Sequence, residues 1–183
     1  MISEGRPARW SALQIALHWL AGVLTLELVV HGLLMVHARL TAATAFDLYQ
    51  SHKSIGFVVL ALTAARLVLR SARKAPQPLG AAWDRALARL VQAALYALTI
   101  GAVASGWLVV STSPLPIPTR FFGLFVVPDI ARRDGGLFAA AGFAHAVAAW
   151  SIAALAALHA AGAVKHHVVD RDDALRRMLP RWP

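Results

Sequence analysis

The chain has 183 residues, of which 58% are hydrophobic and only 15% charged, with no cysteine and a formal net charge of +9. So little polar surface cannot coat a soluble globule of this size, and the lack of cysteine excludes disulfides, iron–sulfur clusters and thiolate ligation of haem. A basic excess in a soluble protein would suggest nucleic acid; here its distribution along apolar runs accounts for it, so no nucleic-acid partner is expected.

In chain order, the first run, residues 12–36, holds one acid, Glu27, and two histidines, His18 and His31. Arg6 and Arg9 precede it and Ala43-Thr44-Ala45 loosely resembles a signal cleavage site, but the run is too long for a signal core and carries ionisable groups inside. It reads as a span. Ser11 with Gln14 forms a candidate capping box, and Trp10 and Trp19 suit the interface. A polar turn through Asp47 then leads to a second span near 52–70, with His52 and Arg70 at its ends and Arg66 inside. A linker from Ser71 to Asp84 with Pro76, Pro78 and Gly80 leads to a third, near 88–110, with Trp83 at headgroup level.

The connection from Ser111 to Gly136 is long, with Pro114, Pro116, Pro118 and Pro128 around Phe121, Phe122 and Phe125. It reads equally as a lid and as an interfacial packing loop. The fourth span, near 137–164, holds His145 and His159, and afterwards Asp170, Asp172 and Asp173 precede Arg176 and Arg177 in the order of a short helix dipole. The expected architecture is an all-α transmembrane four-helix bundle, a single domain over 1–183.

Charge sets its orientation. With a cytoplasmic N-terminus, that side collects Arg6, Arg9, Arg66, Arg70, Arg73, Lys74, Arg85, Arg89, Lys165, Arg171, Arg176, Arg177 and Arg181, thirteen of the eighteen basic residues. The other side receives Arg39, Lys53, Arg120, Arg132 and Arg133. The positive-inside rule puts both termini in the cytoplasm.

Ionisable groups at membrane depth are costly and need a reason. His145 and His159 lie fourteen residues apart on one helix, about 21 Å along the axis and about 40° around it. By direction of travel His18 shares a level with His159, and His52 with His145. Two facing pairs result, the arrangement in which two imidazoles hold a haem iron within a bundle. A glycine lies one turn from each: Gly22, Gly56, Gly142 and Gly162. Small residues make room for a macrocycle, although they also promote plain helix packing. The third span has no histidine and reads as a scaffold.

Arg66 lies fourteen residues after His52, at the level of the inner pair. It reads either as the partner of a haem propionate or as a snorkelling, positive-inside arginine. His31 sits about 220° around the helix from His18 and reads as a packing residue ahead of a rival outer ligand. His37 reads as solvated at the exit interface. Glu27 suits an interhelical hydrogen bond ahead of a proton-relay role. His166 and His167 are interface residues or proton donors beside an inner centre.

The strings LQIALHWL at 13–20, HKSIG at 52–56, SGW at 105–107 and LHAAGAVKHHVVDRDDALRRMLP at 158–180 resemble the bacterial cytochrome b561 family over nearly the whole chain. The resemblance implies a four-span protein of the bacterial inner membrane, two b haems ligated by His18, His52, His145 and His159, and exchange with the quinone pool. Similar members act as superoxide oxidases that reduce ubiquinone. On that reading Lys53, Arg120, Arg132 and Arg133 would steer superoxide, with Lys53 best placed, and His166 and His167 would supply protons to quinone. The extra histidines and the outer loop depart from the family pattern. Two alternatives are a cytochrome b subunit relaying electrons between a partner dehydrogenase or hydrogenase and quinone, and a transporter binding a transition metal directly. The second fits poorly, because sites about 21 Å apart cannot share an ion.

Overall fold

A computed structural model describes residues 9–72, 76, 77 and 79–180. Arg6, Arg73, Lys74, Pro78 and Arg181, which enter the charge count and the linker above, lie outside the described residues. Four long helices dominate: α1 (Ala12–His37), α2 (Ala42–Ala72), α3 (Ala82–Thr112) and α4 (Gly135–Val168). Each is long and apolar enough to cross a membrane. A two-stranded antiparallel hairpin, β1 (Thr119–Phe121) with β2 (Phe125–Val127), interrupts the α3–α4 connection.

α1 starts as its capping box dictates. The Ser11 hydroxyl accepts from the Gln14 amide at 3.3 Å, and the Gln14 side chain accepts from the Ser11 amide at 3.2 Å. α2 begins at Ala42, so Asp47 lies on the helix and the turn is Ala38–Thr41. The apolar run marks where a helix meets hydrocarbon, whereas backbone hydrogen bonds carry it further into water. Thr41 accepts from the Thr44 amide at 3.2 Å and starts α2 early. Asp134 caps α4 through the Leu137 amide at 2.8 Å.

Packing is uneven. α3 lies most extensively along α4, and α1 along α2, while α1 and α4 touch only slightly. Small residues Ala141 and Ala148 on α4 are buried, letting its backbone approach α3. The fully buried core is thin, limited to residues such as Ile15, Ile55, Val59, Val91 and Ile152, while Leu26, Val36, Leu90, Phe143, Trp150 and Val164 face outward. An apolar exterior suits lipid; the thin interior reflects two cavities between the helix pairs.

The two ends differ. At one end the terminal segments meet: the Trp19 indole donates to the Met178 carbonyl at 2.6 Å and Arg9 to the Leu179 carbonyl at 2.7 Å. The short helix expected after the last span is a single 3-10 turn over Arg176–Met178. At the other end the hairpin is fastened to α2 and α3. Arg120 and Pro118 bond to the Gln50 amide side chain at 3.0 and 2.9 Å, and the Phe122 amide donates to Ser54 Oγ at 2.9 Å. Trp107 donates to the Pro128 carbonyl at 3.0 Å, and the Ile130 amide to Ser111 Oγ at 3.1 Å.

Candidate functional site

Each cavity contains one histidine pair. The hairpin-end cavity, about 210 Å³, is lined by His52, Lys53, Gly56, Gly106, Thr119 and His145 among others. The larger terminal-end cavity, about 530 Å³, takes in His18, Gly22, Arg66, Tyr96, His159 and Met178. Thr25, Val29, Thr99 and Ile152 border both, so the cavities are neighbours along the bundle axis.

The ring centroids of His18 and His159 are 6.0 Å apart, and those of His52 and His145 are 6.2 Å apart. Two imidazoles on opposite sides of one metal stand about 6 Å apart, from metal–nitrogen bonds of about 2 Å and roughly 1 Å from each nitrogen to its ring centre. Both pairs therefore have a spacing at which they would hold a metal between them. Gly22 and Gly56 sit against open space, so a Cβ added to either would project into room that a macrocycle could use. The donor set, spacing and space fit haem.

α3 does more than brace the bundle. His145 Nδ1 donates to the Ala102 carbonyl at 2.8 Å, which leaves Nε2 as the ring nitrogen that could ligate a metal. Gly106 permits that placement, since a Cβ there would meet His145 Cε1 at 3.0 Å. In the sequence the third span reads as a scaffold, and the glycine of SGW is the only trace of Ala102 and Gly106.

Arg66 reaches into the terminal-end cavity. Its guanidinium donates to His18 Nδ1 at 3.1 Å and lies 5.2 Å from the centre of the Tyr96 ring. Arginine has only donors, so His18 Nδ1 accepts here. Ligation through Nε2 would protonate Nδ1, and the guanidinium would then be freed for an anionic group within the same cavity. Arg70, which bonds Gln92 at 2.9 Å, lines this cavity too.

The remaining candidates divide. Lys53, half-buried, lines the hairpin-end cavity, whereas Arg39, Arg120, Arg132 and Arg133 are exposed. His166 and His167 lie outside the lining of the terminal-end cavity. His166 Nδ1 is held 2.7 Å from Asp172 and 3.1 Å from Asp170, beside Lys165, which bridges Asp84 and Asp170 at 3.1 and 2.8 Å; His167 is exposed. His37 is exposed. His31 stands beside His52, ring centroids 6.4 Å apart, with Glu27 3.8 Å from its Nε2. Glu27 thus faces its own helix one turn on.

Residues 9–181 match the family model for prokaryotic cytochrome b561. The chain is 33% identical over 175 residues to cytochrome b561 homolog 2 of Escherichia coli, covering 94% of this chain and 92% of that protein. Paired histidines beside room for a macrocycle, in four membrane-length helices, agree with that match: the chain belongs to the prokaryotic cytochrome b561 family, multi-pass bacterial membrane proteins that bind haem b and transfer electrons.

Proposed function

We propose that this protein is a superoxide:ubiquinone oxidoreductase of the bacterial inner membrane, carrying two b haems, one held by His18 and His159 and one by His52 and His145. The observation that carries the di-haem reading is the pair of ring separations, 6.0 and 6.2 Å, in two adjoining cavities. Bound haem b supplies one-electron chemistry between ferric and ferrous iron. The terminal end faces the cytoplasm and the hairpin end the periplasm, by the distribution of basic residues.

The chain's own residues then have distinct tasks. Lys53 lines the hairpin-end cavity and, with Arg120, Arg132 and Arg133 on the same end, provides a positive field that attracts the superoxide anion. Two superoxide anions give up one electron each and leave as dioxygen. Ubiquinone takes up those two electrons with two protons and becomes ubiquinol. Arg66 neutralises a propionate at the terminal end. His166, ordered by Asp170 and Asp172, and exposed His167 pass cytoplasmic protons toward the quinone.

A reduced-minus-oxidised spectrum with haem quantitation tests the centre: two b haems per chain are expected, and none would end the reading. Superoxide-dependent ubiquinone reduction by purified protein tests the activity, which loss of superoxide no faster than spontaneous dismutation would overturn. Co-purification of a large soluble dehydrogenase or hydrogenase would favour a relay subunit docked on the hairpin end.

A further inference from the structure

Resting on the di-haem reading, we infer that His31 and Glu27 form a relay behind His52 that sets the electron affinity of the hairpin-end haem: His52 Nδ1–H donates through a bridging water to His31, whose other nitrogen faces Glu27. The accounting of ring nitrogens leads there. A histidine that ligates through Nε2 carries a hydrogen on Nδ1, and that hydrogen needs an acceptor. His145 has one in the Ala102 carbonyl at 2.8 Å. His52 Nδ1 is buried without a partner among the described residues, and so is His31 Nδ1. Two unsatisfied buried nitrogens on adjoining rings are costly unless something joins them.

The spacing selects what joins them. With centroids 6.4 Å apart and roughly 1 Å from each centre to a nitrogen, nitrogens on the two rings are at least about 4 Å apart, too far for a direct hydrogen bond, so the proposed link needs a bridging water. Both nitrogens are buried, and together they offer a water two polar partners. Glu27, at 3.8 Å too far for a hydrogen bond, acts on His31 through its field. A carboxylate oxygen 3.8 Å from Nε2 favours the tautomer with hydrogen on Nε2, which leaves His31 Nδ1 as an acceptor. The polarity therefore runs in one direction, from His52 as donor to His31 and on to the carboxylate.

The consequence is electronic. An imidazole whose Nδ1 hydrogen is drawn toward an acceptor is a more basic ligand and favours ferric over ferrous iron. The relay thus holds the hairpin-end haem at a lower potential than an isolated His52–His145 pair would give. His31 is a positioning residue acting through His52.

The test uses purified holoprotein. Redox titration and low-temperature electron paramagnetic resonance are recorded for wild type, His31→Leu, His31→Gln and Glu27→Gln, with His52→Ala identifying the hairpin-end component. In His31→Leu that haem should be retained with its potential raised, and its ferric signal moved, while the other haem is unchanged. A tenfold loss of preference for ferric iron, the lower end of such outer-shell effects, corresponds to about 59 mV. His31→Gln, whose amide oxygen still accepts, should return toward wild type, and Glu27→Gln should shift partway in the leucine direction. The same potential and signal in His31→Leu as in wild type would overturn the relay, as would equal shifts at both haems. Loss of the hairpin-end haem in both His31 variants while His52→Ala retains it would also overturn it, making His31 the ligand. Should His31→Leu fail to assemble, Glu27→Gln carries the same comparison. Absence of haem from wild type would defeat the parent reading instead.

Discussion

The placement of His145 is set by more than its own side chain. Its ring is steered by the Ala102 carbonyl 2.8 Å away and tolerated by Gly106, where a Cβ would meet Cε1 at 3.0 Å and Nδ1 at 3.1 Å. On the proposed di-haem assignment, Gly106→Ala is expected to push the ring off that carbonyl and weaken retention of one haem by about tenfold or more, with the haem assigned to His18 and His159 kept. The haem-to-protein ratio in purified protein measures this, and a wild-type ratio with an unshifted spectrum would contradict it. The four paired histidines were legible in the sequence because an imidazole at membrane depth needs a reason, and because the fourteen-residue spacing on α4 leaves few arrangements. Ala102 and Gly106 were not legible as ligand supports: every residue has a carbonyl, and glycines are common in membrane helices. Arg66 lines the terminal-end cavity and touches His18.

Among the elements, the hairpin is the one that composition did not announce. Its strands are three residues long, proline-flanked, and joined by a turn in which Phe122 takes φ 45° and Gly123 φ 76°. Glycine suits that region, but an aromatic residue there is strained and must be held by its surroundings. The holding contacts are visible: the Leu124 amide donates to the Phe121 carbonyl at 2.9 Å, and the Phe122 amide to Ser54 Oγ at 2.9 Å. Ser54 is 1% exposed and also donates to backbone carbonyls at Gln50 and Arg120. Ser54→Ala leaves the Phe122 amide without its acceptor, at a cost of about 1–3 kcal/mol, enough to loosen the hairpin locally while the helices persist. Faster hydrogen exchange over residues 119–127, with α1–α4 unchanged, is the expected result; wild-type protection throughout would show that the anchor is dispensable. The loop read equally as lid or packing segment. Thr119 on the cavity wall and the bonds to α2 favour a lid.

At the scale of the whole molecule, the proposed function has the bundle separate two tasks by distance and by charge. The number and order of the membrane-length helices followed from apolar runs, while the cavities did not, since they depend on α1 and α4 standing apart and on α3 closing against α4. The proposed superoxide-facing end carries a half-buried lysine on the cavity wall and exposed arginines around it, and these act over different ranges. Exposed charges are felt across about 30 Å at 0.01 M salt but only about 3 Å at 1 M. Replacing Arg120, Arg132 and Arg133 together with glutamate should slow superoxide-dependent ubiquinone reduction about tenfold or more at low ionic strength, and the deficit should vanish in high salt. Lys53→Ala acts at the cavity wall, where screening is weaker, so its deficit should persist in both conditions. Stopped-flow rates across a salt series separate the two. Equal deficits at all ionic strengths for the triple variant would mean that the arginines hold structure rather than supply a field, and an unaffected rate in both variants would place superoxide entry elsewhere.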